Sequence, residues 1–280
     1  MTMNTSAQFE QPADNNVSLK KTYNQWFDVI PAKTSALVDQ VHRLRYQVYC
    51  IENSFEDPNI HPNCVERDEY DARSVHSLLK DRSSGAIAGT VRLILPAPKP
   101  EESFPIQGIC KSPLLSDPKM FYHGKAAEIS RFCISKGFRQ LVRESEPSGA
   151  SASDNPGPAI DKQLLMPCIT IGLMKAIVQM SAAHGVTDWF AVMEPSLLRL
   201  LTRFGIYFKP IGPLVEYHGK RQPCYQNVEG LLARIKTERQ DVWDVITDEG
   251  RLLEELRRKV NTPTRHQRVL TYRRALPLHA

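Results

Sequence analysis

The sequence has few features of several large protein classes. Its 280 residues include six cysteines, at positions 50, 64, 110, 133, 168 and 224, without the close and regular spacing of a secreted disulfide framework. The formal net charge of +5 is too small to indicate a nucleic-acid-binding surface by itself. These features predict free thiols in a reducing compartment, and we expect a cytoplasmic protein without a nucleic-acid partner.

Long uninterrupted apolar segments are also lacking. The most apolar stretch, 164–186, contains a proline, a lysine, a glutamine and a histidine, so it falls short of the run of about 18 apolar residues that a membrane-spanning helix requires. The first 17 residues are polar and lack the apolar segment of a secretory signal. We therefore predict a disordered tail over 1–17, a deeply buried helix over 162–184 and no membrane span.

The cysteines and histidines do not follow the spacing of a zinc site. His61-Pro-Asn-Cys64 lies near Cys50 and His76, but this arrangement matches no common zinc pattern. The sequence therefore predicts no metal and no bound cofactor.

The apolar pattern alternates between strand and helix periods. Strands are predicted at 23–30, 75–80, 86–95, 125–135, 188–193 and 206–211, with the second and third forming a hairpin. Helices are predicted at 33–49, 162–184, 195–204, 228–236 and 242–260. Polar, proline-rich or glycine-rich loops are expected at 50–68, 96–118 and 143–158. This order predicts an α/β domain in which helices cover a mixed sheet.

Three separated segments each contribute an arginine, and two of them contribute carboxylates. They are Arg45-Tyr-Gln-Val-Tyr with Glu66-Arg-Asp68-Glu-Tyr-Asp71, then Gly89-Thr-Val-Arg92-Leu, then Glu128-Ile-Ser130-Arg131-Phe. Such a set can converge as an ion-pair network at a cleft. For any single member, a salt bridge that only stabilises the fold is an equally good interpretation.

In this order the motifs resemble those of acyl-homoserine-lactone synthases and N-acyl amino acid synthases. The longer versions of these motifs, together with Tyr217-His218-Gly219, are most similar to the PEP-CTERM/exosortase-associated acyltransferases. The resemblance implies a GNAT-like N-acyltransferase domain with a central splayed mixed sheet over 18–240, followed by a C-terminal helix and basic tail over 241–280. It also implies an acyl donor carried on acyl carrier protein and a small-molecule amine as acceptor.

The resemblance assigns catalysis to Glu128, Ser130 and Arg131. Amide formation needs a neutral amine and stabilisation of an oxyanion, so Glu128 is the candidate general base, directly or through a water. Because side chains alternate along a strand, Glu128, Ser130 and Phe132 are expected on one face and Arg131 on the other. A bulge would bring Arg131 to the same site. Otherwise we expect a structural role for Arg131, such as holding Asp71.

The resemblance assigns the acceptor pocket to residues that are spread along the chain. They are Arg45, Phe55, Asp68, Asp71, Arg92, His218 and Arg221. Phe55 lies in the region where homoserine-lactone synthases usually have a tryptophan that shapes the S-adenosylmethionine pocket. This departure favours an amino acid or another amine as acceptor. For His218 and Arg221, a surface turn with an exposed histidine is the alternative interpretation.

The segment after the third motif bears on the acyl donor. Acetyl-CoA enzymes of the GNAT fold usually have a glycine-rich arginine loop there, whose backbone N–H groups bind a pyrophosphate. The stretch 138–149 lacks that spacing and is acidic at Glu144 and Glu146. This favours an acyl carrier protein thioester as donor. Because carrier proteins are acidic, the predicted docking residues are Lys136, Arg139 and Arg143. An ordinary solvated face is the alternative.

Three functions therefore remain open. The leading hypothesis is an N-acyltransferase that moves a fatty acyl group from acyl carrier protein to the amine of an amino acid or similar small molecule. The second is an acyl-homoserine-lactone synthase, which would use S-adenosylmethionine and release methylthioadenosine. The third is a non-catalytic acyl-carrier or lipid-binding module, which the presence of Glu128 and both loop aspartates disfavours.

Overall fold

The computed structural model describes residues 19–97, 103–121, 125–144 and 162–262. Within them the strands are β1 (Phe27–Pro31), β2 (Ser74–Asp81), β3 (Ile87–Ile94), β4 (Ala126–Ile134), β5 (Asp188–Met193), β6 (Lys209–Pro210), β7 (Val215–Glu216) and β8 (Lys220–Asn227). The helices are α1 (Leu19–Trp26), α2 (Ser35–Tyr46), α3 (Ile106–Ile109), α4 (Pro118–Phe121), α5 (Lys136–Glu144), α6 (Lys162–His184), α7 (Pro195–Thr202), α8 (Val228–Glu238), α9 (Gln240–Thr247) and α10 (Arg251–Asn261). The predicted tail over 1–17, the end of the predicted basic tail and most of the predicted loop over 143–158 lie outside the described residues.

These strands form one sheet in the order β1-β2-β3-β4-β5-β8-β6, with β7 paired to β8. The β4–β5 pair is parallel and the other neighbours are antiparallel. The β4–β5 ladder ends at the pair Ile129 and Ala191, although β4 continues to Ile134 and β5 to Met193. The two central strands therefore separate beyond this point, which confirms the predicted α/β fold with a splayed mixed sheet.

Helix α6 forms the centre of the main hydrophobic core. It packs against β1, β2 and β3 on one side and against α9 and α10 on another. By length and composition it could cross a membrane, but 72% of its most apolar window is buried inside the fold. A Cβ on Gly172 would lie 2.6 Å from Leu79 Cδ1, so the close approach of α6 to the sheet requires glycine there. The predicted buried helix is confirmed.

A β-bulge interrupts the pairing of β3 with β4. Arg92 pairs with Ser130, but Thr90 pairs with Cys133, so two residues of β4 oppose one residue of β3. Arg131, the first residue of the bulge, has a φ of 49°. Beyond the bulge the alternation shifts, and Phe132 packs against the core cluster that contains Ile129. The expectation that Phe132 shares a face with Glu128 and Ser130 was therefore wrong.

Other differences from the sequence-based expectations have local causes. The predicted strand 23–30 is the end of helix α1 followed by β1, and the predicted strand 206–211 is reduced to β6. The predicted helix 242–260 is divided into α9 and α10 by three residues with positive φ, Asp248, Glu249 and Gly250. Strand β8 was missed because its lysine, arginine, glutamine and proline are poor strand formers.

Candidate active site

A cavity of about 120 Å³ lies where β4 and β5 separate. Eight of the ten predicted catalytic and acceptor residues line it: Phe55, Asp68, Arg92, Glu128, Ser130, Arg131, His218 and Arg221. The other two lie behind the wall: Asp71 pairs with the lining residue Arg92, and Arg45 pairs with Asp71 and Glu66. Its apolar wall includes Pro105, Ile109 and Val192. The volume is below the roughly 300–1,000 Å³ of pockets for drug-sized ligands, so it suits the reacting ends of two substrates.

Glu128 is buried at this cavity and has few direct partners. Only 3% of the residue is exposed, and its Oε2 accepts a hydrogen bond of 3.0 Å from the backbone N–H of Ile106. Burial raises the pKa of Glu128 to about 7, although the Ile106 N–H and the more distant Arg92 lower it. A carboxyl group with this pKa can accept a proton near neutral pH.

Arg131 enters the cavity because the bulge turns it there. Its Nη2 donates to Glu66 Oε1 at 2.9 Å, to Asp68 Oδ2 at 3.2 Å and to Glu56 Oε1 at 3.5 Å. Burial lowers the pKa of Arg131, but the hydrogen bond with Glu66 and the negative charges of Glu66 and Asp68 together outweigh it, and the net shift is upward. Arg131 thus stays charged. The alternative expectation, in which Arg131 holds Asp71, was wrong for the described structure.

Asp71 and Glu66 are held instead by Arg45, which is fully buried at the end of α2. Arg45 Nη1 donates to Asp71 Oδ1 at 2.6 Å, and Arg45 Nε donates to Glu66. Burial favours a higher pKa for Glu66, but hydrogen bonds from Arg45 and Arg131 overcome it and hold that pKa at about 2. These charges are therefore fixed at neutral pH.

Arg92 joins this ion-pair network to the strand that carries Glu128. Its Nε donates to Ser130 Oγ at 2.8 Å, and its Nη1 donates to Asp68 Oδ1 at 2.6 Å and to Asp71 Oδ1 at 2.9 Å. The Arg92 side chain is almost completely buried. Ser130 therefore lies at the boundary between Glu128 and the network.

Three side chains of the kinds that bind metals, His42, Asp71 and His76, lie close together behind the network. Both oxygens of Asp71 already accept hydrogen bonds from Arg45. Burial, followed by the nearby Arg45, lowers the pKa of both histidines, to about 3 for His76. The adjacent guanidinium charges disfavour a cation here, so this donor set does not fit a divalent metal.

The outer rim of the cavity is built by two loops that contact each other. The π-helical turn Gln47–Glu52 extends α2 and places the Tyr49 ring 5.0 Å from the Arg131 guanidinium carbon. The following segment carries Phe55, whose ring centroid lies 6.4 Å from that of His218 on the β7–β8 hairpin. The guanidinium of Arg221 lies 5.4 Å from the Phe55 ring centre. The hairpin residues His218 and Arg221 therefore line the pocket, and their contact with an acceptor or donor stays a prediction.

Sequence reasoning missed several residues of the cavity: Tyr49, Glu56, Tyr70 and Tyr217. It also gave no role to Glu66, the main partner of Arg131. Each is adjacent to, or within four residues of, a residue that was predicted. The only indication of these residues in the sequence was their position close to predicted residues in the motifs. Which of them faces the cavity depends on the π-helical turn and the hairpin, which the sequence did not predict.

The predicted carrier-docking residues lie on α5, directly after β4. The backbone N–H of Lys136 donates to Glu52 Oε2 at 3.2 Å, and Lys136 Nζ donates to the Glu52 carbonyl at 2.6 Å. Arg139 is half-buried, and its Nε has no partner among the described residues. The side chain of Arg143 lies outside the described part of the chain. The N–H of Phe138 donates to Ser135 Oγ at 3.0 Å. The chain's own side chains therefore occupy two N–H groups at the start of α5.

Comparison with known proteins gives one domain match. Residues 44–143 match the acetyltransferase (GNAT) domain. This span includes the end of α2, all members of the ion-pair network, β2 to β4 and α5 except its last residue. No curated protein sequence matches the chain.

Several solved structures have a similar fold. TofI, in a ternary complex with an inhibitor and MTA, is 19% identical over 75% of this chain and 96% of its own, with a TM-score of 0.50. BjaI, a CoA-dependent acyl-homoserine lactone synthase with SAM and isopentyl-CoA, is 20% identical over 81% and 89%, with a TM-score of 0.48. FeeM, an N-acyl amino acid synthase from uncultured soil microbes, is 14% identical over 74% and 95%, with a TM-score of 0.47. At these identities the likeness concerns the fold.

Proposed function

We propose that this chain, an acyltransferase with a GNAT domain, transfers a fatty acyl group from acyl carrier protein to the amine of an amino acid or a similar small molecule, with Glu128 as general base. The observation that carries this proposal is a buried carboxyl group with a pKa of about 7, at the cavity where β4 and β5 separate. A free amine is mostly protonated at neutral pH, and Glu128 can remove that proton before attack on the thioester carbonyl.

The separation of the strands supplies the place for the thioester. Within the described residues the β4–β5 ladder ends at Ile129 and Ala191, so the edge of β4 beyond it is free of β5 pairing. Backbone N–H groups on that edge are suited to stabilise the oxyanion of the tetrahedral intermediate. The apolar side chains of Ile109 and Val192 suit the first carbons of the acyl chain.

The start of α5 supports carrier protein over coenzyme A as donor. A pyrophosphate would bind there to free N–H groups, but the N–H of Lys136 donates to Glu52 and that of Phe138 to Ser135. The exposed Lys136, together with Arg139 and Arg143, instead favours an acidic protein surface. A carrier-protein donor also places the reaction in the cytoplasm.

The deciding experiment offers two donors and a mixture of amines. The purified protein is incubated with palmitoyl-acyl carrier protein or palmitoyl-CoA and equimolar amino acids, and products are identified by mass spectrometry. We expect N-acylated amino acid from the carrier-protein donor, and little from the CoA donor. No acylated amine from either donor would reject the proposal, and efficient use of palmitoyl-CoA would reject the assigned donor.

A parallel reaction tests the homoserine-lactone alternative. S-adenosylmethionine replaces the amino acids, and methylthioadenosine is measured by chromatography. Release of methylthioadenosine in step with acyl-homoserine lactone would replace the amino acid acceptor with S-adenosylmethionine. Its absence, together with an acylated amino acid, supports the acceptor proposed here.

A further inference from the structure

The carboxylate of Glu56 is the least satisfied acid of the ion-pair network. Its oxygen Oε1 lies 3.5 Å from Arg131 Nη2 and 3.9 Å from His218 Nε2, and the described residues offer it no closer cationic partner. Glu66, in contrast, accepts a hydrogen bond of 2.9 Å from Arg131 Nη2 and another from Arg45 Nε. The Glu56 side chain is 21% exposed and lines the cavity. It is therefore available to a ligand, whereas Glu66 is not.

The network that ends at Glu56 has an excess of negative charge. Ion pairs connect three guanidinium groups with four carboxylates: Arg45, Arg92 and Arg131 with Glu56, Glu66, Asp68 and Asp71. These ion pairs thus contain one carboxylate more than they contain guanidinium groups. Arg221 does not balance it, because its Nη2 pairs with Glu194 Oε1 at 3.1 Å. A cation bound at the outer, weakly paired end would restore neutrality.

The surroundings of Glu56 suit an organic cation. Phe55, Tyr217 and His218 also line the cavity, and the ring centroids of Tyr217 and His218 are 4.8 Å apart. A carboxylate beside aromatic faces is a common arrangement for binding ammonium groups. The guanidinium of Arg221 lies over Phe55, so Tyr217 and His218 are the aromatic side chains of this group that remain for a ligand cation.

Glu56 and the proposed base Glu128 both line the cavity, and a chain of contacts connects them. These contacts run from Glu56 through Arg131 and Asp68 to Arg92, whose Nε donates to Ser130 Oγ. Glu128 follows on the strand face of Ser130. An acceptor whose reacting amine is at Glu128 therefore extends towards Glu56 with its other end.

We infer that the acceptor carries a second cationic group, which binds to Glu56, so that the preferred class is a basic amino acid with two amino groups. This inference rests on the proposed function, because it assumes that the reacting amine lies at Glu128. It makes Glu56 a specificity-determining residue: an acceptor of equal length without the second ammonium group leaves the excess negative charge unbalanced.

The test uses two acceptors that differ in the terminal ammonium group, L-lysine and L-norleucine. The protein is incubated with palmitoyl-acyl carrier protein and both acceptors at equal concentration, and the ratio of the two acylated products is measured by mass spectrometry. We expect about a tenfold preference for lysine, as for one charge-assisted contact. Glu56→Gln, which keeps the shape of the side chain, should reduce the ratio to about one.

Glu69→Gln is the matched control, since Glu69 is an exposed carboxylate next to Asp68 that does not line the cavity. It should keep the lysine preference. A ratio of one or less with the native protein, or a full preference in Glu56→Gln, would overturn the inference.

A binding measurement separates this inference from the proposed function. Calorimetric titration of the protein with L-lysine or L-norleucine, without any acyl donor, should show tighter binding of lysine that is lost in Glu56→Gln. If such binding occurs but no amine is acylated, the proposed function fails and the cation site remains. If amines are acylated but lysine binds no better than norleucine, the cation site fails and the proposed function remains.

Discussion

Glu128 lines the cavity and Glu66 belongs to the neighbouring ion-pair network; both are buried to a similar degree, but their acidities differ strongly. Their exposed fractions are 1% and 3%. Hydrogen bonds from Arg45 and Arg131 hold the pKa of Glu66 at about 2 against the effect of burial. At Glu128, burial dominates over one backbone N–H and distant arginines and raises the pKa to about 7. The number of direct cationic partners, rather than burial, therefore separates a structural carboxylate from one that can accept a proton.

The largest effect is expected on activity at Glu128. Glu128→Gln should reduce kcat by about 10²- to 10⁴-fold, because the amide cannot take the proton of the amine. Steady-state kinetics with the carrier-protein donor measure this, and circular dichroism checks the fold. Glu69→Gln is the control and should keep native activity. A folded Glu128→Gln protein with native activity would show that Glu128 is not the base.

The counterpart at Glu66 is expected to affect stability. Glu66→Gln removes the charge that Arg45 and Arg131 share in a buried site, which should lower the free energy of unfolding by about 3–5 kcal/mol. Urea denaturation measures this change. The exposed Glu69→Gln should change stability by less than about 0.5 kcal/mol. Native stability in Glu66→Gln would mean that the network does not hold the site together.

The pH dependence of stability should have opposite signs at the two carboxylates. The folded-state pKa of Glu66 is depressed. Its ionised form therefore contributes fully to the free energy of unfolding above pH 4.5, and this contribution is lost as the pH falls towards 2. The folded-state pKa of Glu128 is raised. Its protonated form therefore contributes fully to the free energy of unfolding below pH 4.5, and this contribution is lost as the pH rises through 7. Between pH 4.5 and 7, Glu128 alone should reduce the free energy of unfolding by about 3 kcal/mol. Urea unfolding across this interval should show that decline in the native protein, with Glu128→Gln lacking it.

The ionisation of Glu128 should raise activity over the same pH range in which it lowers stability. With Glu128 as base, kcat/KM should rise with pH and reach half its maximum near pH 7. A profile that is flat between pH 5.5 and 8.5 would disagree with this role.

The smallest effect is expected at Ser130, which lies between the two regions. Ser130→Ala removes the oxygen that accepts from Arg92 Nε, but Arg92 keeps Asp68 and Asp71. Stability should fall by about 1 kcal/mol and kcat/KM by less than tenfold. The midpoint of the pH–rate profile should stay in place. A large shift of that midpoint would show that the network controls Glu128 through Ser130.

The sequence predicted the fold class because its apolar periods are clear, and α6 and β5 were placed almost to the residue. It also named half of the residues that line the cavity. This was possible because the arginines and carboxylates recur in a specific order along the chain. The link to PEP-CTERM/exosortase systems rests on that order alone and stays a prediction.

Pairings within the site were not predictable from the same pattern. Arg131 binds Glu66 instead of Asp71, and Asp71 binds Arg45, because the partners are set by the bulge and the π-helical turn. Neither feature has a signal in residue type, since Arg131 is not a glycine although its φ is positive. Strand β8 was missed for a related reason: pairing with β5 overrides its poor strand propensity.

Because of the bulge in β4, the number of residues between Ser130 and Cys133 matters as much as their identity. Deletion of Phe132 would leave Arg131 as the single residue opposite Val91, and strict alternation would then point Arg131 away from the face that carries Ser130. A single-residue deletion could therefore disconnect Glu66 and Asp68 from the catalytic strand. Among relatives of this chain, the spacing from Glu128 to Cys133 would therefore be as informative as an arginine at the position of Arg131.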